Sequence, residues 1–357
     1  GLAEAEAPAA ADAMRAYGLI WLDWVRQIAE RASVPGLKLF LPKRAVELAA
    51  HRSAHLNQRA LQLEIFEWPS ETGRPQPVDF EDHGNVATRL VPRRRGEELA
   101  GRHRPWLQEL LGEAAERVDL VPDPSGDALS LRVLGLEVAR VEGELAPRTY
   151  FGLEGNSRRL TDANQDEFRQ FLSGVLEVRT AQSSDRTHDF YRLQAERWLE
   201  ALLVRDLTRI DPVLSPQHIY PQVPAFSGSD RGVIDILSVT QEGRLAVIEL
   251  KLDEDPNLPL QGLDYWLRVK WLHERGELAR FGYFPDIALT AAPPLLYLVA
   301  PAFRFHPTNE LVVRYFHPSL EVIQVGLNDQ WREGVKVLFR RPMRGGPAAR
   351  RSGPAPA

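Results

Sequence analysis

Asp235, Glu249 and Lys251 lie in two short apolar runs, GVIDILSV and RLAVIELKL, separated by a turn that contains Gly243. Taking the turn as Gln241, Glu242 and Gly243 suits a three-residue hairpin loop, whose last position adopts the left-handed conformation that glycine tolerates. Counting outward sets Thr240 against Arg244, Leu237 against Val247 and Asp235 against Glu249. Period-two alternation gathers Val233, Asp235, Leu237, Val239, Leu245, Val247, Glu249 and Lys251 on one face. Ile234, Ile236, Ile248, Leu250 and Leu252 occupy the other, so the hairpin reads as covered on both sides.

Two carboxylates facing each other in such a setting, with Cβ atoms about 5 Å apart, destabilise the sheet unless a cation lies between them. Mg²⁺ takes one or two carboxylates, keeps several waters and completes its shell with substrate phosphate. Asp235 and Glu249 suit that role, with the Leu250 carbonyl as a further ligand and Mn²⁺ as a substitute ion. Lys251 shares the face of Glu249 and can orient an attacking water or offset charge on a phosphate. The chemistry is phosphodiester hydrolysis. Read blandly, the same residues are an ordinary strand with a snorkelling lysine.

Helices flank the hairpin. The run 186–210 reads as one long helix in which Glu196 and Glu200 are four apart, Glu196 sharing a stripe with Leu199, Leu203 and Leu207. After the breakers Pro256 and Pro259, LQGLDYWLRVKWLHERGELARF reads as a strongly amphipathic helix with Gln261 and Tyr265 on one face. Together AERWLEALL, GVIDILSV, VIELK and LQGLDYW resemble the PD-(D/E)XK nuclease superfamily, and Gln261 with Tyr265 resembles the QxxxY motif of its RecB-like branch. The likeness covers roughly residues 189–286. It implies that Glu196, with Glu200 in reserve, completes the metal environment, and that Gln261 and Tyr265 help to position substrate. Ile234 stands where the family name has proline, and the absence of cysteine excludes members stapled by an iron–sulfur cluster.

The expected fold class is α/β: a C-terminal restriction-endonuclease-like sandwich with a mixed sheet over 187–340, preceded by an α+β domain over 17–154 to which no chemistry attaches. A polar connection over 155–186 joins them, and 1–16 and the basic 341–357 are expected to be disordered. No apolar run approaches the 18 or so residues of a membrane span, so the expectation is a cytoplasmic protein without a membrane partner. With no cysteine, disulfides, thiolate nucleophiles and zinc ribbons are excluded. The net charge of -5 provides no global basic field.

Local candidates for gripping phosphate are Arg93, Arg94, Arg95, Arg102 and Arg104, then Arg268 and Lys270, and Arg340, Arg341, Arg344, Arg350 and Arg351. His51 and His55, on one helix face, read as a surface pair. No GxxxxGK is present, so no nucleotide-driven motor is expected. The expected function is a Mg²⁺-dependent deoxyribonuclease acting on single- or double-stranded DNA, compatible with a homo-oligomer. The alternative is a catalytically inactive nuclease-fold module that binds nucleic acid, and the N-terminal half is a candidate targeting element.

Overall fold

The computed structural model describes residues 7–29, 33–68, 73–79, 88–90, 92–123, 126–143, 146–227 and 232–346. The chain begins with α1 (Ala7–Ile28), β1 (Gly36–Pro42), α2 (Lys43–Ser53), β2 (Gln62–Trp68) and the short β3 (Gln76–Pro77) and β4 (Thr88–Arg89). β1 and β2 pair in parallel across the helical crossover α2. Helix α1 starts before residue 17, and Ala16 is wholly buried, because Ala16, Leu19 and Leu22 face the core. Residues 1–6 of the expected disordered start lie outside the described residues.

A second group follows: α3 (Arg93–Leu111), the antiparallel strands β5 (Asp119–Pro122), β6 (Ala128–Val133), β7 (Leu136–Glu142), β8 (Arg148–Phe151) and β9 (Arg158–Arg159), then α4 (Gln165–Val178). Alternating residues of β6 and β7 join Leu107 and Phe168 in an apolar cluster of their own. Leu134 and Gly135 form the tight turn between β6 and β7, with φ of 44° and 81°.

The remaining elements are α5 (Asp189–Arg192), α6 (Ala195–Arg205), β10 (Leu214–Pro224), β11 (Phe226–Ser227), β12 (Val233–Thr240), β13 (Leu245–Leu250), α7 (Leu258–Glu274), α8 (Glu277–Arg280), β14 (Leu295–Pro301), α9 (Asn309–Arg314), β15 (Glu321–Leu327) and β16 (Val337–Arg344). Among the described residues they build a mixed sheet in the order β10-β12-β13-β14-β15-β16, parallel only between β13, β14 and β15. Trp198, Leu199 and Leu203 of α6 pack on one face against Ile236, Ile248 and Tyr297. Leu263 and Trp266 of α7 pack on the other against Leu237, Val247 and Leu298. The molecule is thus mixed α/β with open mixed sheets. Residues 347–357 of the basic tail lie outside the described residues, and β16 runs into its first part.

Two helices differ from the sequence reading. The run 186–210 is broken between α5 and α6, where Gln194 is left-handed with φ 47°. The buried guanidinium of Arg179 donates to the carbonyls of Val133, Leu134, Phe190, Leu193 and Gln194, satisfying acceptors that a continuous helix would have used internally. Helix α7 is buried nearly all round rather than amphipathic, since α1 and α2 share the apolar cluster on its far side. Its polar residues survive burial by pairing: Arg52 grips both oxygens of Asp264 at 2.9 Å, and Arg268 reaches Asp264 at 2.6 Å. Such a network is costly to break, because a lone buried charge remains.

Candidate functional site

The hairpin turn forms as counted. Gly243 has φ 88°, the Thr240 amide donates to the Arg244 carbonyl at 2.7 Å, and Leu237 pairs with Val247. The ladder ends at Ile236 and Ile248, one step before Asp235 and Glu249. There the Asp235 carboxylate turns across to β13 and its Oδ2 accepts the Leu250 N–H at 2.9 Å. β12 stays paired with β10 past this point, but the left-handed Gln222 of β10 interrupts the regular pleat between the Pro221–Ile236 and Val223–Ile234 pairs. Ile234 accordingly joins the α7-side cluster with Leu237, not the opposite face expected from strict alternation.

The predicted residues are brought to this end of the hairpin. The Lys251 amide donates to the Val299 carbonyl of β14 at 3.0 Å, anchoring the residue just past β13. Lys251 Nζ stands 3.9 Å from Glu196 Oε1, and that same oxygen accepts the Leu252 N–H at 3.3 Å. Glu196 therefore ties α6 to the hairpin, its side chain still 44% exposed. On α7, Gln261 hydrogen-bonds the hydroxyl of Tyr265, and burial, then the Glu249 charge, raise the Tyr265 pKa. Glu200 plays another part: buried, it accepts from Arg197 at 2.7 Å and from Gln222 at 2.5 Å.

Electrostatics single out the two central carboxylates. Glu249 is 1% exposed, and its Oε2 has no hydrogen-bond partner. Burial pushes its pKa well above the carboxylate range, and the Asp235 charge adds to the shift. Burial pushes Asp235 up to about 6, opposed by the Leu250 N–H and by Arg197, whose Nη1 is 3.6 Å away. Burial pushes Glu200 up to about 8, with Arg197 pulling it down. A buried carboxylate oxygen without a donor calls for a proton or a cation. Asp235, Glu249 and the Leu250 carbonyl are hard oxygen donors, the set Mg²⁺ or Mn²⁺ accepts with waters filling the shell. Among the described residues no group of three His, Cys, Asp or Glu side chains is arranged to hold an ion alone, so an ion here would rest on two carboxylates.

The cleft beside the site lies between α3 and β5 on one side and α6 and β10 on the other, with a volume of about 560 Å³. It reaches the carboxylates only through Arg197, Glu200 and Gln222. A further cleft of about 700 Å³ over β7 shares Arg132, Arg197 and Gln222 with it. Arg132, Arg197 and Gln222 thus line the approach on both sides. The sequence reading singles out none of these three as a site residue. The signal was weak: Gln222 is reoriented by a left-handed φ of 54° near the end of β10, and Arg132 arrives from a separate sheet.

Other basic candidates are placed differently. Arg268 is wholly buried between Asp264 and the Ala225 carbonyl and contacts no solvent. Lys270 pairs with Glu274, Arg340 with Asp211 and Arg341 with Glu310. Arg93 lies over the Tyr220 ring and pairs with Glu97. Arg102, Arg104 and Arg344 are exposed. The side chains of Arg94 and Arg95, and Arg350 and Arg351 entirely, lie outside the described residues. The His51 and His55 pair is partly buried rather than superficial, with His55 against the Trp266 ring and lowered to a pKa of about 4 by burial. No protein-family model matches the sequence, and no curated protein is significantly similar to it. No helix among the described residues is long and apolar enough to cross a membrane.

Proposed function

We propose that this chain is a divalent-metal-dependent nuclease of the PD-(D/E)XK type, RecB-like branch, hydrolysing phosphodiester bonds of DNA. The observation that carries this reading is Glu249: a buried carboxylate with an unpartnered oxygen, beside Asp235 and Lys251 at the end of an apolar hairpin. In this reading α6, the mixed sheet and α7 form the restriction-endonuclease-like sandwich. Asp235, Glu249 and the Leu250 carbonyl would hold Mg²⁺ or Mn²⁺. The bound ion supplies Lewis acidity toward the scissile phosphate and makes its water more acidic.

The chain's own groups do the rest. Asp235 and Glu249 must be ionised to receive a cation, and Lys251 and Arg197 both lower their pKa values toward that state. Lys251, kept near the carboxylates by Glu196, donates to the attacking water or to a phosphate oxygen. Glu200 and Gln222 hold Arg197 at the cleft mouth, where its guanidinium meets phosphate. Gln261 and Tyr265 position the strand from the α7 side.

One observation favours the rival class, a module that binds nucleic acid without cutting: the Arg197 guanidinium already balances Asp235. Incubating the protein and its Lys251→Ala variant with labelled single- and double-stranded DNA, in Mg²⁺ or in chelator, separates the two. Cutting that needs Mg²⁺ and disappears with Lys251→Ala is the expected result. Binding without cutting under every condition contradicts hydrolysis.

A further inference from the structure

Helix α1 presents two apolar faces. Ala16, Leu19 and Leu22 are buried in the cluster shared with α7. Met14, Tyr17, Trp21, Trp24 and Ile28 lie elsewhere on the same helix and are 45%, 60%, 55%, 55% and 57% exposed. Their spacing alternates three and four residues, which is the a and d pattern of a helix–helix seam. We propose that this stripe is a dimer interface, on which α1 of a second copy of this chain packs as a left-handed helix pair.

Three features favour a second copy over other occupants. First, an a/d stripe is self-complementary, so the same patch on two chains closes around a two-fold axis. Second, the flanking positions, which set partner choice through charge, are Gly18, Ile20, Val25 and Gln27. None is charged, so identical helices meet no like-charge repulsion and no opposite charge selects a different partner. Third, three half-exposed aromatic side chains with Met14 and Ile28 offer on the order of 500 Å² of apolar surface per copy. A pair would bury about 1,000 Å², the lower bound of a specific interface.

A lipid surface fits less well. An interfacial helix needs basic residues beside its apolar face, and both arginines of α1 turn inward. Arg15 is 2% exposed, and Arg26 donates to the carbonyls of Val34, Pro35 and Ala60. The inference is independent of the nuclease reading, since it uses none of the hairpin residues.

The absence of cysteine provides the test. A Trp21→Cys variant of the full chain carries a single thiol at the middle of the stripe, opposite its own copy when the helices run parallel, and Trp21→Cys/Trp24→Cys covers the antiparallel case, in which position 21 faces position 24 of the second copy. Mild oxidation should link the facing thiols into a covalent dimer, while Arg158→Cys, exposed on β9, should stay unlinked. In parallel, light scattering of the unmodified protein in the upper micromolar range should give twice the chain mass of 40.3 kDa. Trp21→Glu/Trp24→Glu should give the single mass with an unchanged far-UV spectrum. If the Trp21→Glu/Trp24→Glu variant misfolds, the cross-link decides. A monomeric wild type, a dimer that persists in that variant when it folds, or equal linking of Arg158→Cys overturns the proposal.

Discussion

Replacing Asp235 with asparagine is expected to stabilise the metal-free protein at alkaline pH and to remove its response to Mg²⁺. Burial raises this carboxyl from 3.8 to about 6 against the pull of the Leu250 N–H and Arg197. A folded value above the unfolded one favours the fold while the group is protonated, fully below pH 4, and that advantage is withdrawn as pH rises through about 6. At pH 8 the ionised carboxylate therefore costs the metal-free fold about 3 kcal/mol. Its side chain is 20% exposed, so solvent screening reduces this to about 2 kcal/mol. The amide oxygen of the substitute can still accept from Leu250, so the main loss is the charge itself. In chelator at pH 8 the variant should melt a few degrees above the wild type, and the two should coincide at pH 4. With saturating Mg²⁺ the order inverts, because only the wild type gains the free energy of binding. A variant less stable than wild type in chelator at pH 8, or a difference that ignores pH, refutes the reasoning.

Lys251→Ala should lower single-turnover cleavage by about 10²–10³-fold, while titration calorimetry finds Mg²⁺ affinity little changed. Gly135→Ala should destabilise the protein by about 1–3 kcal/mol and lower cleavage with it. An added Cβ would lie 2.1 Å from the Arg197 carbonyl at a backbone of φ 81°, pushing the first turn of α6 off the hairpin; urea unfolding reads the first effect and cleavage the second. Arg179→Met should cost 3 kcal/mol or more, on the order of 1–3 kcal/mol for each carbonyl left dry, and speed hydrogen exchange at the start of α6.

What could be read ahead of the structure was what local geometry dictates. Gly243 and the period of two determine the hairpin turn and set Leu237 against Val247, and the four-residue spacing of Gln261 and Tyr265 puts them on one side of α7. Groups distant in sequence determine the rest. Ile234 changes face because the left-handed Gln222 interrupts the pleat of β10 beside it. The helix over 186–210 breaks because Arg179 takes its carbonyls. The polar stripe of α7, Asp264 with Arg268, reads as solvent-facing until Arg52 is found 212 positions earlier to pair with it. Arg197, Gln222 and Arg132 converge from three elements, a relation that no spacing encodes. The N-terminal stripe at residues 14, 17, 21, 24 and 28 was present as a pattern, but only the burial of Ala16, Leu19 and Leu22 shows which side of α1 is left over.

The proposed chemistry turns on where the divalent ion binds, and anomalous scattering from crystals soaked in Mn²⁺ reads that position directly. One peak is expected within coordination distance, about 2.1 Å, of carboxylate oxygens from both Asp235 and Glu249, with Lys251 beside it, and none in Glu249→Gln crystals. A wild-type map with no peak at this hairpin end, or with a peak held by other residues, contradicts the account.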